Sequence, residues 1–218
     1  MIKYCFVFMM LCVFLGCSSN PKLQNSISIL DQELFRSYQD MDNSLAIKRS
    51  TLLFSEGKSA DSCKSYYSLY PDYKLDESAR NQQVKSEYLI CDALRILLSS
   101  SGVSNEAVKP LNLGKHLLTK LDLRTFPSSI NRSATEDSHT LYSLYPNEAS
   151  FNDNVAEWQA DEWVIAMEVV AVARINKNLK PDWIVWVSDE SKLGSYKGYS
   201  TIIIYDPSGN DSLTAAAY

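Results

Sequence analysis

The chain has 218 residues, with 21 Lys and Arg against 26 Asp and Glu, for a formal charge of −5. That acidic balance argues against a nucleic-acid partner, which needs a concentrated basic face to displace phosphate counterions, and against electrostatic attraction to anionic lipid. With 45% hydrophobic residues and only 7 Gly and 7 Pro, the chain can bury a core in one domain or two small ones, and it is neither fibrous nor low in complexity.

The chain opens "MIKYCFVFMMLCVFLGCSSN". Lys3 supplies a short positive region, and Tyr4 to Leu15 form an apolar run. A mature membrane-spanning helix takes about 20 apolar residues, so this run is too short, and residues 1–16 have the anatomy of a secretory signal peptide. The stretch "FLGC" at 14–17 resembles the lipobox of bacterial lipoprotein precursors, with Phe14 where that pattern usually has Leu. The resemblance covers residues 1–17 alone. It implies that Gly16 precedes the cleavage site and that the Cys17 thiol takes a diacylglyceryl group. Acyl chains such as palmitate, each buried CH₂ contributing about 0.8 kcal/mol, would then hold the protein to a membrane. Ser18, rather than Asp, follows the cysteine. In a Gram-negative cell this implies sorting to the periplasmic face of the outer membrane; in a Gram-positive cell the same signal leaves the protein outside the plasma membrane. Of five cysteines, the resemblance implies that Cys5 and Cys12 leave with the signal and that Cys17 would be acylated. Cys63 and Cys91 remain, and in an oxidising compartment such a pair is expected to form a disulfide.

Residues 17–25 read as a lipidated tether. From Ser26, the apolar positions Ile27, Leu30, Leu34, Tyr38, Met41 and Leu45 recur at helical spacing. "AIKRSTLLF" continues as helix or strand, and "SADSCKSYYSLY" predicts a short helix that stops before Pro71. The clearest helix is "DESARNQQVKSEYLICDALRILLSS", with Asp76 as its N-cap and Val84, Tyr88, Cys91, Leu94 and Leu98 on one face. "NLGKHLLTKLDL" is a shorter helix and "RTFPSSINRSATEDS" a loop. Beyond them, Trp163 to Ile175 alternate with the two-residue period of a strand, and "DWIVWV" and "YSTIIIY" are two more β-rich runs. These elements predict an α+β fold: a helical part over 26–125, an antiparallel β-meander within 126–206, and a flexible tail over 207–218. The pentapeptide "YSLYP" occurs at both 67–71 and 142–146. A duplication should conserve secondary structure, yet the same shift lays "EYLIC" of a helical run on "EWVIA" of a strand run, so the repeat reads as coincidence.

Few constellations could carry chemistry. Two histidines, His116 and His139, cannot supply a multi-histidine zinc site. The chain lacks a G-x-S-x-G elbow and both Gly-rich phosphate loops. "SEGK" and "SGN" satisfy short patterns of penicillin-recognising enzymes, but no K-T-G strand accompanies them. The carboxylates Glu162, Glu168, Asp189 and Glu190 fall near the strands, and paired carboxylates cleave glycosides only at defined separations. "RINKNLKPDWIVWV" resembles the D-x-N-x-D-G-x-x-D calcium loops of repeat-type extracellular domains, with Asn176, Asn178 and Asp182 on oxygen-ligand positions. Arg174 replaces the first acid and Leu179 the turn glycine, so no metal site and no cofactor is expected. Trp183, Trp186, Tyr196, Tyr199 and Tyr205 are either sheet-core aromatics or a recognition face. The reading that follows is a lipid-anchored envelope protein with a non-enzymatic binding or assembly role; the alternative is an envelope hydrolase using acidic residues in a cleft. Its expected partners are the membrane, through the lipid, and an envelope protein.

Overall fold

The computed structural model describes residues 27–103, 112–209 and 212–218. The signal segment, Cys17 and the tether lie outside the described residues. The fold is α+β, as the periodicities predict, with helices in the N-terminal half and an antiparallel sheet after them.

The first described segment departs from the single helix expected there. Ser28–Ile29 form strand β1, and Asp31 then caps helix α1 (Gln32–Gln39) by accepting from the Leu34 N–H at 2.7 Å. Helix α2 (Met41–Ala46) follows. Ile27 and Leu30 fit the helical spacing but are drawn to the sheet, where β1 supplies backbone partners to a strand that would otherwise present an open edge. The short strands β2 (Leu52–Leu53) and β3 (Ser59–Ala60) pair with each other. Helix α3 (Cys63–Leu69) starts at a Ser62–Ser65 capping box and stops before Pro71.

The long helix expected from Asp76 is two helices, α4 (Ala79–Lys85) and α5 (Leu89–Ser99), joined by a 3₁₀ turn at Ser86–Tyr88. Ser78, not Asp76, caps α4; Asp76 instead accepts from the Ser78 N–H at 2.9 Å. The predicted single stripe also fails at its end. Helix α5 is buried around most of its circumference, with Leu97 inside and Leu98 exposed. Helices α6 (Leu113–Lys120) and α7 (Leu141–Leu144) follow.

Strands β4 (Ala149–Phe151), β5 (Val155–Gln159), β6 (Trp163–Ala173), β7 (Asp182–Ser191), β8 (Lys197–Ile204) and β9 (Ala215–Ala217) pair in sequence order, all antiparallel. Strand β6 changes partner along its length. Residues 164–168 pair with β5; then a bulge at Val170 redirects the strand, and Ala171 and Val172 pair with β1. Within the segment 207–218, expected to be a flexible tail, the part from Leu213 to Ala217 is packed on the domain. Leu213 is buried and exchanges backbone hydrogen bonds with Lys120 and Asp122, and β9 pairs with β8. Three alanines carry little strand signal, so backbone pairing and the buried Leu213 override local propensity here.

Both faces of the sheet are covered. Trp183, Val185 and Val187 of β7, with Ile202 and Ile204 of β8, pack into a core with α6, α7 and Ile130. The intervening residues Ile184 and Ile203 pack against α1–α5 on the opposite face. This explains why these strands read as near-continuous apolar runs. Helix α6 approaches β5 so closely that a Cβ on Gly114 would collide with the carbonyl oxygens of Val155 and Asn152. Gly114→Ala must therefore push the helix off the sheet. The expected cost is about 1–3 kcal/mol, read as a lower urea midpoint with an unchanged m-value.

Candidate functional site

The sheet has two ends. One carries the β6–β7 turn and the start of β1; the other carries the β5–β6 and β7–β8 turns. At this second end a groove of about 570 Å³ is lined by Ser129, Ile130, Trp158, Ala160, Glu162 and Trp163, with Asp161 beside them.

Trp158 lies on the inward face of β5, where alternation with exposed Glu157 and Gln159 places it. Its indole N–H donates to Glu148 Oε2 at 2.9 Å, and its ring stacks on Tyr145 with centroids 4.0 Å apart. Trp163 opens β6. Its indole N–H donates to Asp189 Oδ1 at 2.7 Å, and its ring stacks on Tyr196 at 5.4 Å. Both indole N–H groups are thus consumed inside the protein.

Asp189 organises this end of the molecule. It is 3% exposed and faces the same side of β7 as Val185 and Val187. Besides Trp163, it accepts from the Ser129 hydroxyl at 2.7 Å and backbone N–H at 2.5 Å, and from the Tyr196 hydroxyl at 3.4 Å. Burial, then the adjacent Asp189 charge, push the Tyr196 hydroxyl pKa up. Gly198 leaves room for this arrangement, since a Cβ there would stand 2.9 Å from the Tyr196 hydroxyl oxygen. One buried carboxylate therefore fixes two groove-lining residues and the ring behind one of them. A buried charge is tolerated only with such a full set of donors. The groove's rim carries the exposed Asp161 and Glu162, and the Lys192 ammonium donates to the Ala160 carbonyl at 2.6 Å beside them. The groove offers aromatic surface and acceptor oxygens, suited to a ligand with an apolar face and hydrogen-bond donors.

The other strand carboxylates sit elsewhere. Glu190, next to Asp189, points to the opposite face, where it pairs with the Lys197 ammonium and accepts from the Tyr199 hydroxyl at 2.7 Å. Burial raises the Glu190 pKa, but these two hydrogen bonds outweigh it and the net shift is downward. Glu168, half-buried, has its pKa raised by burial first and by Asp31 second, while a hydrogen bond from Asn154 works against both. A smaller cleft of about 210 Å³ lies between α4 and the start of β8, with Lys85 and Lys197 in its wall. Lys85 is committed to the buried Asp92 at 2.8 Å.

Cys63 and Cys91 form a disulfide with Cα atoms 5.2 Å apart, joining α3 to α5. His116 stacks on Trp183, and its pKa is lowered by burial and then by Lys120 and Lys115; His139 lies half-buried in a loop. Asn176, Asn178 and Asp182 build a turn: Asp182 is fully buried and accepts from the backbone N–H groups of Ile175, Asn176 and Asp206. Trp183 and Trp186 occupy opposite faces of β7, so the five aromatics of this region do not make one recognition face. Among the described residues there is no cluster of three or more His, Cys, Asp or Glu that could hold a metal ion, and no helix long and apolar enough to cross a membrane. Sequence reasoning named Asp189, Tyr196 and Trp163 separately but missed Ser129 and the groove they form. No family model, no curated protein and no solved structure matches the chain.

Proposed function

We propose that this protein is a lipid-anchored, non-enzymatic binding module at the periplasmic face of the outer membrane, which takes an envelope partner in the Trp158–Trp163 groove. The observation that carries the reading is Asp189. A buried carboxylate contributes little net stability over apolar packing, and this one instead holds Trp163, Tyr196 and Ser129 in fixed positions around an open groove, which is how a binding site is preorganised. The Cys63–Cys91 bridge fits an exported protein, and the "FLGC" stretch supports acylation at Cys17.

Two measurements test it. Intact-mass analysis of the mature protein is expected to show acyl mass on Cys17, lost in Cys17→Ala; a free N-terminus without acyl mass ends the anchoring part. A photo-crosslinking amino acid at Glu162, on the groove rim, is expected to capture a discrete partner in the native envelope. Asp189→Asn, which keeps the volume but turns an acceptor oxygen into a donor against Ser129 or Trp163, should weaken that adduct several-fold. An adduct equally strong in Asp189→Asn, or the same product from a crosslinker at Glu33 on α1, would overturn the assignment of the groove.

A further inference from the structure

The opposite end of the sheet carries the β6–β7 turn, with Leu179 exposed at its tip. We infer that the β6–β7 turn, residues 176–181, is a second membrane contact, with Leu179 entering the headgroup boundary of the bilayer and Lys177 and Lys180 lying among the lipid phosphates. The inference rests on the proposed acylation of Cys17.

Strand register fixes the direction of the chain. Ser28 pairs with Val172 and Ile29 with Ala171, antiparallel. Continuing this register backwards places Ile27 beside Ala173, so the chain enters the domain from the end where β6 runs into the 176–181 turn. Cys17 is nine residues before Ser26. At 3.3–3.6 Å per residue that stretch spans at most about 30 Å, so an acylated Cys17 keeps this end of the sheet close to the bilayer.

The turn itself is built to present an apolar side chain. Asn176 Oδ1 accepts from the Asn178 N–H at 3.2 Å, Asn178 Oδ1 accepts from the Lys180 N–H at 2.8 Å, and the Asn178 amide donates to Asp206 Oδ1 at 2.7 Å. Lys177 holds a left-handed conformation at φ 64°. The backbone between these anchors is thus specified, and yet Leu179 at its tip is 88% exposed, more than any other large apolar side chain described. Lys177 and Lys180 flank it, both exposed. Tyr205, 40% exposed, stands next to Asp206 at the same end and adds an amphipathic ring. An apolar tip bracketed by lysines, whose stems can lie along lipid while their ammonium groups reach phosphate, is the chemistry of an interfacial contact. The chain's overall negative charge does not oppose this, because fields between exposed charges fall off within about 8 Å at physiological salt and the turn's own exposed charges are the two lysines, with Asp206 3.8 Å from the Lys180 ammonium. Contact at this end would leave the Trp158–Trp163 groove, at the far end of the strands, facing away from the membrane.

The test uses the full acylated chain in vesicles of phosphatidylethanolamine and phosphatidylglycerol. An environment-sensitive dye is placed on Leu179→Cys and, as the far-end control, on Leu193→Cys, whose native side chain is 77% exposed in the β7–β8 turn. The expected result is a blue-shifted emission at position 179 with several-fold stronger quenching by nitroxide-labelled lipid than at position 193. Water-like, equally unquenched emission at both positions in vesicle-bound, acylated protein would overturn the inference while leaving the anchor intact. Absence of acyl mass on Cys17 would instead remove the anchoring reading, and this inference with it.

Discussion

Asp92→Ala is expected to destabilise the protein by about 3–5 kcal/mol, the usual consequence of removing one partner from a buried ion pair. Asp92 is 2% exposed in α5. Its Oδ2 takes the Lys85 ammonium at 2.8 Å and the Thr201 hydroxyl at 3.2 Å, and its Oδ1 accepts from the Tyr66 hydroxyl at 2.8 Å. Four elements, α3, α4, α5 and β8, therefore meet on one carboxylate. Removing it leaves an ammonium and two hydroxyls without their acceptor in a space largely closed to water. Lys85 also sits over the Tyr66 ring at 4.9 Å, but a neutral ring does not replace a lost counter-charge. For a chain of this size, 1 kcal/mol is worth about 2–4 °C in Tm, so thermal unfolding should come roughly 6–20 °C earlier. The double variant Lys85→Met, Asp92→Leu should recover most of the loss, because an ion pair replaced as a unit by apolar groups leaves no charge stranded. A double variant as unstable as Asp92→Ala would contradict this account.

Cys91→Ala should cost roughly 3–4 kcal/mol on the chain-entropy model of cross-links, for a bridge between residues 28 apart. Both cysteines are fully buried, between α3 and α5. Tyr67 on α3 donates its hydroxyl to the Cys91 carbonyl on α5, so the same helix pair is also held by a hydrogen bond, and Tyr88, just before α5, shares its hydroxyl proton between the carbonyls of Ser50 and Ala60. The variant should fold, and the loss should appear as a lower denaturation midpoint rather than as disorder. Unfolding of the wild type in reducing buffer should move to match Cys91→Ala. If the wild type is as labile as the variant in oxidising buffer, the bridge contributes nothing.

The fold was legible in the sequence where one periodicity ran long enough to dominate. Trp163 to Val169 kept period two up to the bulge at Val170, and the capped run ending at Pro71 kept its helix. Errors came where contacts distant in sequence decided the outcome. Ile27 and Leu30 obey helical spacing, yet the open edge of β6 claims the segment around them. The run from Asp76 to Ser100 has one apolar stripe on paper, but α5 is enclosed by sheet and helices together, so Leu97 is taken in and Leu98 left out. Ala215–Ala217 has no strand signal and is held by β8. The groove was invisible for the same reason: Ser129 and Asp189 are 60 residues apart and meet only once the loop after α6 folds over β7. The pairing of Cys63 with Cys91 was legible because the expected signal and lipobox accounted for Cys5, Cys12 and Cys17 and left these two.

The two-sided covering of the sheet also bears on how the chain reaches its native state. Helices α1–α5 come from the first half of the sequence, but the surface that buries them is made by β6–β8. Trp186 reaches the Leu89 carbonyl across 97 residues, and Thr201 reaches Asp92 across 109. Closure over such distances is slow compared with local helix formation. A chain threaded N-terminus first into another compartment would deliver its helical half before the strands that shelter it. During that interval the apolar sides of α3 and α5 would be open to association with other chains. Vulnerability is thus concentrated in the time before β8 arrives, and a chain cut short after α6 would keep that exposure permanently.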